Sequence, residues 1–122
     1  REEALAALQA IGIELEDPDQ TVASLSGGQR QTLAIARALH FGARVLIMDE
    51  PTAALGVRQS DLVLGDIRKA ASRGVAVVLV THNPYHAHPV GDHFVVLRKG
   101  RVIADKRKED LAVEELSRLM AG

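Results

Sequence analysis

Two short apolar runs, RVLIM (44–48) and VAVVLV (75–80), do more than any other feature to limit the fold. Unbroken apolar runs of this kind are strands buried on both faces, because an alternating strand would show polar residues at every second place. Between them, residues 57–73 form a helical stretch stopped by Gly74. Strand, helix and strand at this spacing make a βαβ unit, with parallel neighbouring strands and a right-handed crossover. The chain is therefore α/β. Each run also stops at residues capable of chemistry: Asp49-Glu50-Pro51-Thr52 after the first, Thr81-His82-Asn83 after the second. That edge of a parallel sheet is where open α/β folds hold their ligands.

The remaining pattern surrounds this unit. REEALAALQAI (1–11) spaces Leu5, Leu8 and Ile11 as a helix does, with Glu2 and Glu3 at its positive end and Gly12 as its stop. Residues 13–23 are turn-rich around Asp17-Pro18. A strong helix pattern runs from Ser26 to about Phe41 and ends at Gly42. Asn83 and Pro84 fit the N-cap and first position of a short helix, which would fix His82 at a strand tip. HFVVL (93–97) and RVIAD (101–105) flank Lys99-Gly100 as a hairpin, and VEELSRLM (113–120) is an amphipathic terminal helix.

The helix that opens on Ser26-Gly27-Gly28-Gln29 poses a question. Glycine costs about 1 kcal/mol against alanine inside a helix. Ser26 and Gln29 form a capping box, which explains the serine and the glutamine but not two glycines. Glycines are needed where something must approach the backbone, and bare amides at a helix start attract anions, phosphate foremost. On this stretch alone, phosphate binding and a plainly capped helix stand level. Asp49 and Glu50 are similarly double-edged. Neighbours on an extended segment point to opposite sides, so one can serve a Mg²⁺ shell and the other a water; equally, Asp and Pro simply open turns. His82, His86, His88 and His93 share no acidic or thiol partner at metal-ligand spacing. Lys99-Gly100-Arg101 reads as a solvated turn.

Composition narrows the partners. With 15 basic and 16 acidic residues the net charge is −1, and Tyr85, Phe41 and Phe94 are the only aromatics, so neither a basic face nor a stacking platform for nucleic acid is available. The absence of cysteine removes disulfides and thiolate chemistry. No apolar run approaches the roughly 20 residues that cross a bilayer, so work at a membrane goes through a partner.

The order of these signals is more specific than any one of them. LSGGQ (25–29), VLIMDE (45–50), AALG (53–56) and VTHN (80–83) resemble, in sequence order, the signature motif, Walker B motif, D-loop and switch-histidine loop of ABC-type ATPases. The resemblance covers nearly the whole chain. It implies part of a P-loop NTPase domain, with 1–42 the end of a helical subdomain carrying the signature motif and 43–122 the C-terminal part of a RecA-like catalytic subdomain. It implies ATP and Mg²⁺ as ligands: Ser26, Gly27, Gly28 and Gln29 facing the γ-phosphate of ATP held by a second ATPase domain, Asp49 on Mg²⁺, Glu50 as general base, and His82 on the γ-phosphate. The family's phosphate loop, G-x-x-x-x-G-K-[ST] (Walker A), and its glutamine loop are missing from these 122 residues, which fits an N-terminally truncated sequence inactive by itself. Gly56 stands where most members carry aspartate. EPTAALGVRQ followed by the T-H-N-x-x-H-A-x-x-V-G-D pattern (81–92) is similar to the ATPases of bacterial ribose, xylose and fructose importers. The resemblance then implies a peripheral subunit on the cytoplasmic face of the cell membrane, working with a permease and a sugar-binding protein. The alternatives are a non-transport ABC ATPase of the DNA-repair or translation type, and a non-catalytic remnant.

Overall fold

A computed structural model describes residues 26–122. The expected helix over 1–11, its Gly12 stop, the stretch 13–23 and Leu25 lie outside the described residues. The chain divides into two compact units, with the boundary between Val78 and Leu79.

The first unit begins with α1 (Gly27–His40), β1 (Val45–Asp49) and α2 (Val57–Ser72), and β2 (Ala76–Val80) leads across the boundary. α2 turns a helical stripe inward: Ser60, Val63, Leu64, Ile67 and Ala70 are buried at intervals of three and four. On α1 the buried residues are Gly28, Ile35 and Ala36. The two helices pack on each other, with Gly28 facing Gln59 and the Thr32 hydroxyl bonded to Asp66 Oδ2 at 2.8 Å. Both helices stop where sequence places them, at Gly42 and Gly74, whose φ values of 76° and 89° open the left-handed turn that a side chain resists. β1 and β2 are hydrogen-bonded neighbours joined through α2. Ala76 N donates to Arg44 O at 2.9 Å, linking the starts of both strands, as parallel neighbours require.

One expectation is corrected here. The strands are not buried on both faces: Val45, Ile47 and Val78 are 56%, 70% and 50% exposed, whereas Leu46 and Met48 turn away from solvent. Successive side chains of a strand take opposite faces, and among the described residues only one face of β1 is covered.

The second unit holds α3 (Pro84–Val90), β3 (His93–Arg98), β4 (Arg101–Arg107), a 3-10 turn (Lys108–Asp110) and α4 (Val113–Ala121). β3 and β4 pair antiparallel from His93↔Arg107 to Arg98↔Arg101, with an irregularity between Val96 and Leu97. Lys99 and Gly100, with φ of 50° and 76°, form the two-residue turn, since both central positions of such a hairpin favour positive φ. Strand alternation sends Phe94 and Val96 inward to join Ala104, Leu111 and Leu116, with Ala87, Leu119 and Met120 packed around them. Leu111 and Leu116 are almost fully enclosed, at about 1.5–3 kcal/mol of burial each. Arg98 donates to the carbonyl of Leu119, satisfying an end of α4, and Lys106 pairs with Glu115 at 3.7 Å.

Candidate functional site

In the first unit the Ser26 tip is built by local chemistry. Ser26 is extended (φ −65°, ψ 164°); its Oγ accepts from Gln29 N at 3.2 Å, and its own N–H donates to Gln29 Oε1 at 2.9 Å. This is the expected capping box. It serves the third amide of the helix and leaves those of Gly27 and Gly28 without an intrahelical acceptor. Gly27 is exposed and Gly28 buried. A Cβ on Gly27 would meet Leu55 Cδ2 at 2.7 Å, whereas one on Gly28 would sit 3.4 Å from Gln59 Cβ, an ordinary contact. The chain's own packing therefore asks for glycine at 27 only as far as a leucine tip can yield, and barely asks for it at 28.

The acidic pair lies in the same unit. Asp49 closes β1 with its side chain exposed. Glu50 is not a further extended residue: its φ is 50°, the left-handed region that costs an ordinary side chain about 1 kcal/mol or more. The simple alternation expected for the pair thus fails at Glu50, and a backbone bend, not a strand, aims its carboxylate. Buried Pro51 and Thr52 hold that bend, and Ala53 N donates to Glu50 O at 3.2 Å. Leu55 N then donates to Thr52 O at 3.2 Å, and Ala54 repeats the positive φ at 63°. The turn carries Leu55 to Gly27, so the acidic bend and the glycine tip are joined through residues 53–55. Gly56 is the N-cap of α2 with no side chain to offer, and a Cβ there would meet nothing within 4 Å.

His82 belongs to the second unit, where it is exposed just after β2. Asn83 caps α3 as expected, its Oδ1 accepting from Tyr85 N at 3.0 Å and His86 N at 3.3 Å. Asn83 N in turn donates to Thr81 Oγ1 at 3.1 Å. Among the described residues no group of three or more His, Cys, Asp or Glu is placed to hold a metal by itself. A lone exposed carboxylate is what Mg²⁺ takes when phosphate and water supply its other ligands, so Asp49 fits that ion. The exposed amide of Gly27 beside a capping hydroxyl fits a phosphate oxygen.

The ABC transporter family profile matches residues 1–53. The chain is 41% identical over 121 residues to the xylose/arabinose import ATP-binding protein of Sulfolobus acidocaldarius, covering 99% of this chain and 48% of that protein. Along nearly its whole length it is similar to ATP-binding proteins of ABC transporters. A fructose import ATP-binding protein of Rhizobium meliloti is also 41% identical, over 98% of this chain and 46% of its own length. Among solved structures, an inward-facing transporter described as metal-chelate type ABC superposes with a TM-score of 0.81 at 30% identity, across 98% of this chain and 48% of that one. A dimeric ATP-binding cassette in a post-hydrolysis state with ADP and Pi gives 0.69 at 30% identity, across 88% and 46%. The chain thus spans about half the length of the relatives it matches, with the α/β cassette fold they share.

Of the features that matter here, sequence reasoning missed two. The left-handed Glu50 had no local signal, since glycine and asparagine are the residues that announce it. His88 is one of several histidines in this stretch of sequence; its bond to the Leu111 carbonyl and its stacking on Phe94 link residues far apart in sequence.

Proposed function

We propose that this chain is the signature-motif and Walker B half of an ATP-hydrolysing subunit that energises monosaccharide import. In this reading residues 1–42 close a helical subdomain and 43–122 belong to the catalytic subdomain. The subunit docks from the cytoplasm on a membrane permease, which a sugar-binding protein supplies. No helix among the described residues is long and apolar enough to cross a membrane, consistent with a partner that does. The sugar assignment is supported by the names of the relatives, which are import proteins for xylose or arabinose and for fructose.

The observation that carries the hydrolytic reading is Glu50, held at positive φ directly after Asp49 at the end of a parallel strand. Strain of this kind clusters at functional sites, and at Glu50 it falls on a carboxylate next to Asp49. Glu50 accepts a proton from the attacking water, whose oxygen bonds to the γ-phosphorus as the bridging P–O bond to ADP breaks. Asp49 would hold Mg²⁺, which would supply positive charge to the phosphate oxygens. Ser26, Gly27 and Gly28, with Gln29 holding the serine, present hydroxyl and amides to the γ-phosphate of ATP on a second ATPase domain. His82 contacts the γ-phosphate.

The test is Glu50→Gln in the complete subunit. The amide keeps the shape and loses the base, so ATP binding persists while turnover falls by about 10²-fold or more. Unchanged hydrolysis would remove Glu50 from the chemistry. Residues 1–122 alone carry no G-x-x-x-x-G-K-[ST] and are expected neither to hold ATP tightly nor to turn it over.

A further inference from the structure

The helix behind His82 is too small to hold itself. α3 has seven residues, contains Pro89, and has no fully buried side chain. Isolated helices shorter than about 12–15 residues are marginal in water. Its N-terminal end carries the Asn83 cap and hence the peptide next to His82. What fixes its other end is His88. The ring lies flat on Phe94, centroids 5.4 Å apart and planes within 5°. Its Nε2 lies 2.8 Å from the carbonyl of Leu111, and because a carbonyl only accepts, Nε2 carries the proton. Both partners belong to the core of the unit: Phe94 is 7% and Leu111 1% exposed. Nearby, Lys108 Nζ donates to Pro89 O at 3.2 Å, and Gly91 lets the chain pass Phe94, whose Cε1 would stand 2.5 Å from a Cβ there.

We propose that His88 is a positioning residue for His82, an imidazole strut that ties α3 to the Phe94–Leu111 core and so fixes the loop from Thr81 to Asn83. This rests on the reading that His82 acts on the γ-phosphate. An apolar side chain could fill the same space, but only a ring with a donor supplies both the stack and the bond to a carbonyl in the segment between β4 and α4. Loss of the strut leaves the hairpin core in place and lets the His82 end of α3 wander.

The experiment measures kcat and KM for ATP in the complete subunit for His88→Ala, His88→Phe, His88→Gln and His82→Ala. Amide hydrogen exchange is followed on residues 1–122 in parallel. His88→Ala is expected to lower kcat by about ten- to a hundred-fold, as misplaced catalytic groups do, with KM for ATP little changed. Phe keeps the stack and Gln keeps a donor, so each restores part of kcat. In His88→Ala the amides of Tyr85 and His86 exchange faster while those of Val96 and Ala104 keep their protection. Wild-type kcat in His88→Ala, or no recovery with either Phe or Gln in variants whose hairpin amides stay protected, overturns the proposal. If His82→Ala itself retains full turnover, the underlying role of His82 fails; if His82→Ala is inactive and the three His88 variants are not impaired, only the strut fails.

Discussion

Thr32 and Asp66 face each other across the contact between α1 and α2, the hydroxyl donating to Oδ2 at 2.8 Å. Burial raises the Asp66 carboxyl above its ordinary 3.8; the Thr32 bond and the charge of Lys69 pull it back only in part. The folded chain thus holds this proton after the unfolded chain has released it. Between the ordinary and the raised value the native state binds more protons, so stability falls as pH rises through that window, and the loss is complete above it. Asp66→Asn keeps an acceptor for Thr32 and never ionises. Relative to the parent, the variant should therefore gain in melting temperature as pH rises from below 3.8 through that window, as followed by circular dichroism. A relative loss over that range would contradict the burial argument.

Gly56 offers a second, purely local test. It is the N-cap of a 16-residue helix whose first turn contains no acid. Aspartate at this position accepts from the amides two and three residues on and suits the positive helix end, and there is open space for it. Gly56→Asp is expected to stabilise residues 1–122 by about 0.3–1 kcal/mol in urea denaturation, because glycine is itself a tolerable cap. A destabilised variant would show that this end of α2 is held in a way the cap geometry does not express.

Lys99 occupies a position that suits asparagine. Its φ is 50°, followed by Gly100 at 76°, and Asn-Gly is the favoured pair for such a turn. Lys99→Asn should raise stability by about 0.5–1 kcal/mol, the usual scale of left-handed strain relieved in a side chain that tolerates it. Amide exchange at Val96 and Ala104, inside the hairpin, reports it directly: slower exchange is expected, and faster exchange would mean that Lys99 holds the turn by another contact.

How far sequence alone reaches is clear from individual residues. RVLIM and VAVVLV identified their strands, and Gly42, Gly74, Asn83 and Pro84 their helix ends, because each of these is decided by neighbours in the chain. The capping box at Ser26 was legible for the same reason. Exposure was not: Ile47 and Met48 are equally apolar, yet one is 70% exposed and the other 6%, a difference set by what lies over each face. The irregularity between Val96 and Leu97 falls inside an unbroken apolar run and leaves no trace in it. Glu50 follows the same rule at the candidate site. Its residue type marked the chemistry, but the bend that aims it comes from Pro51, Thr52 and the Ala53 bond acting together.

The glycines at the tip of α1 allow packing and phosphate binding to be separated by one methyl group. At Gly28 an added Cβ lies 3.4 Å from Gln59 Cβ, so alanine fits without displacing a neighbour. Alanine is also the better helix former, by up to about 1 kcal/mol in an interior position and less near the start. Gly28→Ala should therefore leave the urea midpoint of residues 1–122 unchanged or raise it. If the tip exists to bring a phosphate against bare amides, the same methyl group crowds that approach. In the complete subunit, ATP-dependent dimerisation and turnover should then both fall by about 10-fold or more, the scale of one lost donor contact to a developing anion. A variant as stable and as active as the parent would return these glycines to a structural role. A variant that unfolds would instead place Gly28 in a tighter contact with α2 than its 3.4 Å spacing to Gln59 allows for.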